Sequence, residues 1–322
     1  MSPWLKKKQM NQLRNEIGHI GYLTSKLTEQ QKIHSGINTA MLQNLLPLSR
    51  KEFDLWDFEF KVFSQWGEDG IINHILQILN IAKPNCLEIG IEDFTECNTR
   101  FLSVYRNANL YLVDSSEAAQ SVISNLEFRW KSILEFEKNY INQDNINKVI
   151  ERASNAVGVI DVFSLDIDGV DYWILKAIDN LTFKLVIVEY NSIFGPEIQV
   201  TVPYNDNFDR KEEHYTYQFY GASISAFIEL MTEKGYIFIG TNRANTNAFF
   251  VPEKYSSNFQ HLHIREKSDY TQANVRESRN QFGELDYFTQ SQSLKSMSGL
   301  SIFDLNEGRA RLLKEVLGSE LE

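Results

Sequence analysis

Phe163-Ser164-Leu165-Asp166-Ile167-Asp168-Gly169-Val170-Asp171 is the stretch that decides the fold. It closes an apolar run that begins near Val159, and a second run, Leu185 to Tyr190, follows a helical pattern from Tyr172 to Ile178. Two apolar runs of strand length on either side of a helix are what buried parallel strands require, because both faces of each strand meet other layers. The same alternation holds upstream. Cys86 to Ile91 forms a first strand candidate, Glu96 to Arg106 a helix pattern, and Leu110 to Val113 a strand ending at Asp114. Downstream, Ile224 to Glu233 is helical with Gly235 as a stop signal, and Tyr236–Ile239 and Ala248–Val251 look like a closing β pair. The prediction is an α/β fold with a doubly wound, mostly parallel sheet over residues 55–252.

The flanks differ from this body. Residues 1–48 carry apolar residues at Leu13, Ile17, Ile20, Leu23, Leu27, Ile37, Met41, Leu42 and Leu45, which is helical spacing. Gly18, Gly21, Gly36 and the polar Gln30, Gln31 and His34 interrupt the stripe, so one or two helices are expected, with Pro47 as their end. Two uses are open for this segment: a homo-oligomeric coiled coil, or an arm on the chain's own domain. Residues 253–322 are polar, with a helical pattern resuming at Leu305 to Leu317, and form a C-terminal extension.

The 322 residues carry 32 Lys and Arg against 43 Asp and Glu, a net charge of −11. That field disfavours nucleic acid as a partner. No apolar run is long enough to span a bilayer. Lys6, Lys7 and Lys8 are not followed by an apolar stretch, so a signal peptide is not expected. Cys86 and Cys97 make no metal-type cluster. A reducing, cytoplasmic setting is the expectation.

Four places can carry chemistry. Leu87-Glu88-Ile89-Gly90-Ile91-Glu92-Asp93 is a strand running into a loop with one glycine, at the strand end where open sheets bind ligands. Gly90 admits close approach to the backbone, while Glu88, Glu92 and Asp93 repel a pyrophosphate and tolerate a cationic ligand with an amino group and a sulfonium. Asp114, at the end of the second strand, can hold ribose hydroxyls or cap the helix after Ser115 and Ser116. Phe63-Ser64-Gln65-Trp66-Gly67-Glu68-Asp69-Gly70 precedes an amphipathic helix and holds more polar groups than a cap needs. Asp166 and Asp168 fall on one side of their strand, and Glu189 and Asn191 on one side of the next. If these strands are neighbours, hard oxygen ligands for Mg²⁺, Mn²⁺ or Ca²⁺ gather at one edge; otherwise the acids cap a helix. The long segment from Asn191 to Gly221 has the character of a binding loop, and His214 within it is a candidate general base.

In combination, Ser64-Gln65-Trp66-Gly67-Glu68-Asp69-Gly70, Leu87-Glu88-Ile89-Gly90, Asp114, Asp166-Ile167-Asp168-Gly169 and Glu189-Tyr190-Asn191 occur in this order. With Tyr220-Gly221-Ala222-Ser223 and Asn247-Ala248-Phe249-Phe250-Val251 they resemble class I S-adenosylmethionine-dependent methyltransferases, particularly FkbM-like proteins of bacterial polysaccharide clusters. The resemblance covers residues 55–252. It implies a Rossmann-like seven-stranded sheet with a reversed last strand. It implies S-adenosylmethionine held by Glu88, Gly90, Asp114 and Asp166, with Gln65, Gly67 and Glu68 closing over it. It implies O-methylation of a sugar or glycan acceptor. A metal at Asp168, Glu189 and Asn191, Mg²⁺ or Mn²⁺, resembles the layout of metal-dependent O-methyltransferases, although Tyr190 intervenes where that layout has adjacent residues. Without a metal, Asp168 or His214 is the candidate base. Two other readings stay open: a glycosyltransferase using Asp166-x-Asp168, and a non-catalytic assembly protein built around the N-terminal helix.

Overall fold

The computed structural model describes residues 3–45, 53–124, 126, 129–264, 273 and 277–318; the expected stop at Pro47 lies outside them. Residues 1–46 form one compact unit and residues 47–322 a second. The first is a single helix, α1 (Pro3–Gln43), of 41 residues, in which the three glycines make no break. At 1.5 Å per residue it is about 60 Å long. Pro3 stands at its first position, where a missing N–H costs nothing. Ile20, Leu23, Leu27 and Met41 are exposed on it.

The second unit is built on a seven-stranded sheet. Five strands are parallel: β1 (Asn85–Ile89), β2 (Asn109–Asp114), β3 (Leu134–Lys138), β4 (Val162–Leu165) and β5 (Leu185–Glu189). Across the sheet the order is β3-β2-β1-β4-β5-β8-β7, where β7 (Tyr236–Thr241) and β8 (Asn247–Pro252) are the closing pair and β8 runs antiparallel to both its neighbours. This is the expected Rossmann-like sheet of the class I methyltransferase fold, with its reversed last strand inserted between β5 and β7.

Alternation along each strand explains the layers. Leu87, Ile89, Phe163, Leu165, Val186 and Val188 point into one core, which α5 (Ile146–Val157), α6 (Asp171–Lys176) and α8 (Ile224–Glu233) cover. Cys86, Leu110, Leu112, Val162, Leu185 and Ile187 point into the other, beneath α2 (Glu68–Ile78), α3 (Arg100–Tyr105) and α4 (Ala118–Ser124). Both faces of the central strands β1, β2, β4 and β5 are covered, which is why those strands are mostly apolar, while the edge strand β3 is charged.

Several boundaries differ from the sequence reading, each for a physical reason. The helix expected from Glu96 begins only at Arg100, because the Glu88 carboxylate accepts the backbone N–H groups of Asn98 and Thr99 at 2.7 and 3.0 Å. The segment after β5 holds the two-residue β6 (Val200–Thr201) and the single turn α7 (Arg210–Glu213). The helix expected over Leu305–Leu317 is instead a hairpin of β9 (Ser301–Asp304) and β10 (Arg309–Leu312), followed by the short α10 (Leu313–Leu317). Asp304 turns the chain by accepting from the backbone N–H groups of Asn306 and Glu307. Pairing of β9 with β6 then overrides the local helical pattern. Leu294 and Met297 of α9 (Gln290–Met297), with Ile302, Leu313 and Leu317, enter the core that also holds Leu87 and Phe163, so the chain after Pro252 extends the main core. No helix among the described residues is long and apolar enough to cross a membrane.

Strand order reverses between β1 and β4, and there the two following loops meet. Gly90 has φ +84°, and a Cβ on it would lie 1.5 Å from the carbonyl oxygen of Asp166. Gly90→Ala therefore faces both a left-handed backbone and a clash with main chain that cannot move cheaply. The expected outcome is a loss of at least about 3 kcal/mol of stability or no soluble folded protein, checked by urea unfolding followed by circular dichroism.

Candidate active site

The crevice at this switch point, where open sheets take their ligands, is a cavity of about 980 Å³. Its wall includes Gln65, Glu88, Gly90, Asp114, Asp166, Asp168 and Glu189. Ten lining residues are Asp or Glu and only Arg210 and Lys211 are basic, so its field favours a cationic guest.

Backbone hydrogen bonds fix the floor. The Gly90 N–H donates to the Val113 carbonyl at 2.9 Å and the Asp166 N–H to the Ile89 carbonyl at 3.1 Å. The glycine at position 90 is demanded by this contact between loops rather than by room for a ligand. The Asp114 Oδ2 accepts from the N–H groups of Ile91 and Glu92 at 3.0 and 2.8 Å, and Oδ1 accepts from Ser116 at 2.8 Å. Asp114 thus pins the loop after β1 and also makes the local turn before α4. Oδ1 keeps a second lone pair beside the cavity. Glu88 accepts from Asn98, Thr99 and the Thr99 hydroxyl; burial raises its pKa and these donors oppose the rise.

The segment before α2 is a second wall. Asp69 Oδ2 gathers the N–H groups of Val62, Phe63 and Ser64 at 2.7–2.9 Å, which folds residues 62–64 back over the helix start. Gln65 reaches the cavity. Gly67 and Glu68 do not line it: Gly67 stands against the Glu59 side chain with φ +112°, and Glu68 is fully buried. Glu68 Oε2 accepts from the Trp66 N–H, while Oε1 accepts from the amides of Asn242 and Asn247 at 2.5 and 3.0 Å.

The acids after β4 and β5 do come together. Among the described residues one group of three side chains can converge on an ion: Asp166, Asp168 and Glu189, with one oxygen from each lying within 4.8 Å of the others. β4 ends at Leu165, so Asp166 and Asp168 stand on the loop beyond it. Asp168 takes φ +55°, strained for a residue with a Cβ, and Asp171 holds that turn by accepting from the N–H groups of Ile167 and Gly169 at 2.8 and 3.0 Å. Burial, then repulsion from neighbouring carboxylates, pushes the pKa values of Asp166 and Glu189 well up: Asp168 and Asp171 act on Asp166, and all three on Glu189, while a hydrogen bond with Glu189 opposes the rise at Asp166. Asp168 is raised by burial too, against the pull of Arg210, whose guanidinium pairs with its Oδ1. Arg210 also lies over the Tyr220 ring, 5.3 Å from its centre, and the Tyr220 hydroxyl is 3.4 Å from Glu189 Oε1.

Two expected members stand apart. Asn191 is turned away from the three acids: its Nδ2 donates to the carbonyls of Gln218 and Tyr220, both at 2.9 Å, and its Oδ1 accepts from the Ile193 N–H at 3.1 Å. It staples the long loop, and the residue between it and Glu189 explains the difference. His214 bonds Thr216 Oγ1 through Nδ1 at 2.8 Å, has its pKa lowered by burial, and is not among the residues around the cavity. Arg210 and Asn247 are two of the lining residues to which the sequence reading gave no role. Position 210 in a polar loop carries no signal of its own, and Asn247 was quoted only as part of a strand motif.

No family profile and no curated protein matches the chain. Solved structures show distant likeness. The O-methyltransferase TomG from Streptomyces achromogenes, in complex with SAM, is 14% identical over 61% of this chain and 85% of its own, with a TM-score of 0.36. Human N-acetylserotonin methyltransferase, also in complex with SAM, is 11% identical over 55% of this chain and 50% of its own, with a TM-score of 0.31. A fibrillarin/Nop5p complex is 14% identical over 52% of this chain and 71% of that one, with a TM-score of 0.30. Likeness this distant transfers neither an activity nor a residue role; the fold rests on the strand order.

Behind the Gln65 wall, burial pushes Glu59 up to about 7 from 4.5, while the Arg243 N–H, donating to its Oε1 at 2.5 Å, opposes the rise. The folded chain therefore holds this proton more tightly than the unfolded chain. Stability contributed by protonated Glu59 is present below pH 4.5 and is lost as pH rises through about 7. Glu59→Gln should flatten that fall and gain about 1 kcal/mol at pH 8 over the parent, read as melting temperature against pH from 4 to 8.

Proposed function

We propose that this chain is an S-adenosylmethionine-dependent O-methyltransferase whose acceptor is a sugar or glycan precursor of a surface polysaccharide. The observation that carries the methyltransferase reading is the acidic cavity at the switch point, lined by Asp114 as well as by the Asp166–Asp168–Glu189 group. Its volume of about 980 Å³ lies at the upper end of the roughly 300–1,000 Å³ of small-molecule sites, which suits two guests at once. The sugar acceptor and the polysaccharide setting rest on the family resemblance of the sequence motifs, and the cytoplasm is part of the same proposal.

The donor chemistry fits both implied groups. Carboxylates around a crevice with no phosphate cradle suit a sulfonium and an amino group, and three converging carboxylates suit a hard divalent ion. Gln65, Glu88, Asp114 and the backbone at Gly90 would border S-adenosylmethionine; Asp166, Asp168 and Glu189 would hold Mg²⁺ or Mn²⁺. When bound, the cofactor supplies a methyl group on a sulfonium and the ion supplies a Lewis acid. The chain's own share is to align an acceptor hydroxyl and, where no ion occupies the three acids, to take its proton through Asp166 or Glu189, whose proton affinity burial raises. Asp168 is the alternative base; His214 would need the loop around it to move.

Calorimetry with S-adenosylhomocysteine, first in EDTA and then with Mg²⁺ or Mn²⁺, tests the reading. Binding is expected in both conditions, with Asp114→Ala weakening it by about tenfold or more. Absence of binding in both conditions overturns the reading. Binding of a nucleotide-sugar instead would favour a glycosyltransferase, the reading that the placement of both Asp166 and Asp168 on the cavity supports.

The domain assignment is proposed along with the activity: residues 1–48 for assembly, 55–252 for catalysis and 253–322 as an extension of the catalytic fold. Ile20, Leu23, Leu27 and Met41 are exposed at coiled-coil spacing, which supports pairing with a second copy of the chain. In analytical ultracentrifugation the full chain should sediment as an oligomer and a chain lacking residues 1–48 as a monomer. Equal oligomer size for both removes the assembly role.

A further inference from the structure

Asn247 opens β8 and is the direct antiparallel partner of Glu189 at the end of β5. Directly opposed residues on antiparallel strands project from the same face, about 5 Å apart at Cβ. Both residues line the same cavity as Asp166 and Asp168. Among the described residues, each also has one buried oxygen that no donor reaches, Oδ1 of Asn247 and Oε2 of Glu189, the Glu189 carboxyl standing within hydrogen-bond reach of the Asp166 carboxyl. Two orphaned acceptors on facing residues need something to accept from or to ligate.

The orientation of the Asn247 amide is fixed from behind. Its Nδ2 donates to Glu68 Oε1 at 3.0 Å, and the same carboxylate takes the Asn242 amide and the Trp66 N–H. Turning the amide over would set its oxygen against the Glu68 oxygen, acceptor to acceptor. The buried Glu68 therefore commits the nitrogen of Asn247 and leaves Oδ1 on the other side, without a donor among the described residues. Asn247 itself is 6% exposed. A neutral amide oxygen beside three carboxylates completes a hard, all-oxygen donor set without adding a fourth charge.

We propose that Asn247 is a fourth protein ligand, through Oδ1, for a divalent cation held by Asp166, Asp168 and Glu189, and that Glu68 is the positioning residue that aims it. This rests on the metal reading above and moves the neutral ligand from Asn191 to the strand that pairs with β5. A carbonyl ligand suits Mn²⁺, Mg²⁺ and Ca²⁺ alike, so the claim concerns coordination rather than choice of metal.

The test is Mn²⁺ titration of the EDTA-stripped full chain, followed by electron paramagnetic resonance and calorimetry, without any cofactor or acceptor. The parent chain should bind one Mn²⁺ per protomer, and Asp166→Asn should abolish binding. Asn247→Ala should weaken Mn²⁺ by about tenfold or more. Asn247→Asp keeps an oxygen at the same place and, protonated on its other oxygen, can still donate to Glu68; it should bind Mn²⁺ about as tightly as the parent. Thermal melts and S-adenosylhomocysteine binding in EDTA report whether each variant is folded. If Asn247→Ala does not fold, retained affinity in Asn247→Asp supports the ligand role and lost affinity overturns it. Parent-like binding by Asn247→Ala overturns the inference and leaves the metal reading standing. Equal weakening of both variants also overturns it, since an oxygen kept at that place then adds nothing to the binding. No Mn²⁺ binding by the parent removes the metal reading together with this inference.

Discussion

The second unit depends on one close approach, main chain against main chain, between the loops that leave β1 and β4. Gly90 and the Asp166 carbonyl touch where any side chain would intrude, and the Asp166 N–H closes the contact onto Ile89. This seam stands at the reversal of strand order, so it is also where the chain ends of five parallel strands leave an opening. Asp114 on one side and Asp171 on the other each spend carboxylate oxygens on the backbone of these loops. The cavity therefore has a floor of fixed main chain, with the Asp168 backbone held in a left-handed conformation by the same bonds.

A rigid floor lets side chains of like charge be held together. Asp166 and Glu189 have no basic partner among their bonded neighbours, and Arg210 is bound to Asp168. Repulsion within the group is relieved in two ways: a proton retained on Asp166 or Glu189, or a cation between them. The raised proton affinities describe the first state.

The sheet was legible because its strands are buried on both faces. Leu110 to Val113, Val162 to Leu165 and Leu185 to Val188 are buried on both faces and nearly all apolar, and the period alone separates them from the helices between. β3 was not, since Leu134-Glu135-Phe136-Glu137-Lys138 is a charged edge strand whose pairing with β2 only the sheet supplies. The tail misled for a related reason: Leu305 to Leu317 has helical spacing, but Arg309–Leu312 pairs with β9, and β9 in turn with a strand a hundred residues away. Local pattern records which residues are apolar; it does not record which partner covers them.

The site was legible to the same depth. Asp166, Asp168 and Glu189 could be grouped because strand ends put them on one edge once β4 and β5 were taken as neighbours. Asn191 was grouped by the same rule and falls outside, because one residue past the strand end the backbone turns and its amide is consumed by Gln218, Tyr220 and Ile193. Asn247 enters by a route that spacing does not encode. It meets Glu189 only through antiparallel pairing, and its amide faces one way only because Glu68, on a helix almost 180 residues earlier, is buried behind it. The polar density around Gly67 was a true signal with a different meaning. Gln65 reaches the cavity, while Glu68 and Asp69 spend their oxygens on backbone and amide donors that hold the wall in place. A residue that orients another through a buried hydrogen bond leaves no periodicity, and it becomes visible only when the bond is seen.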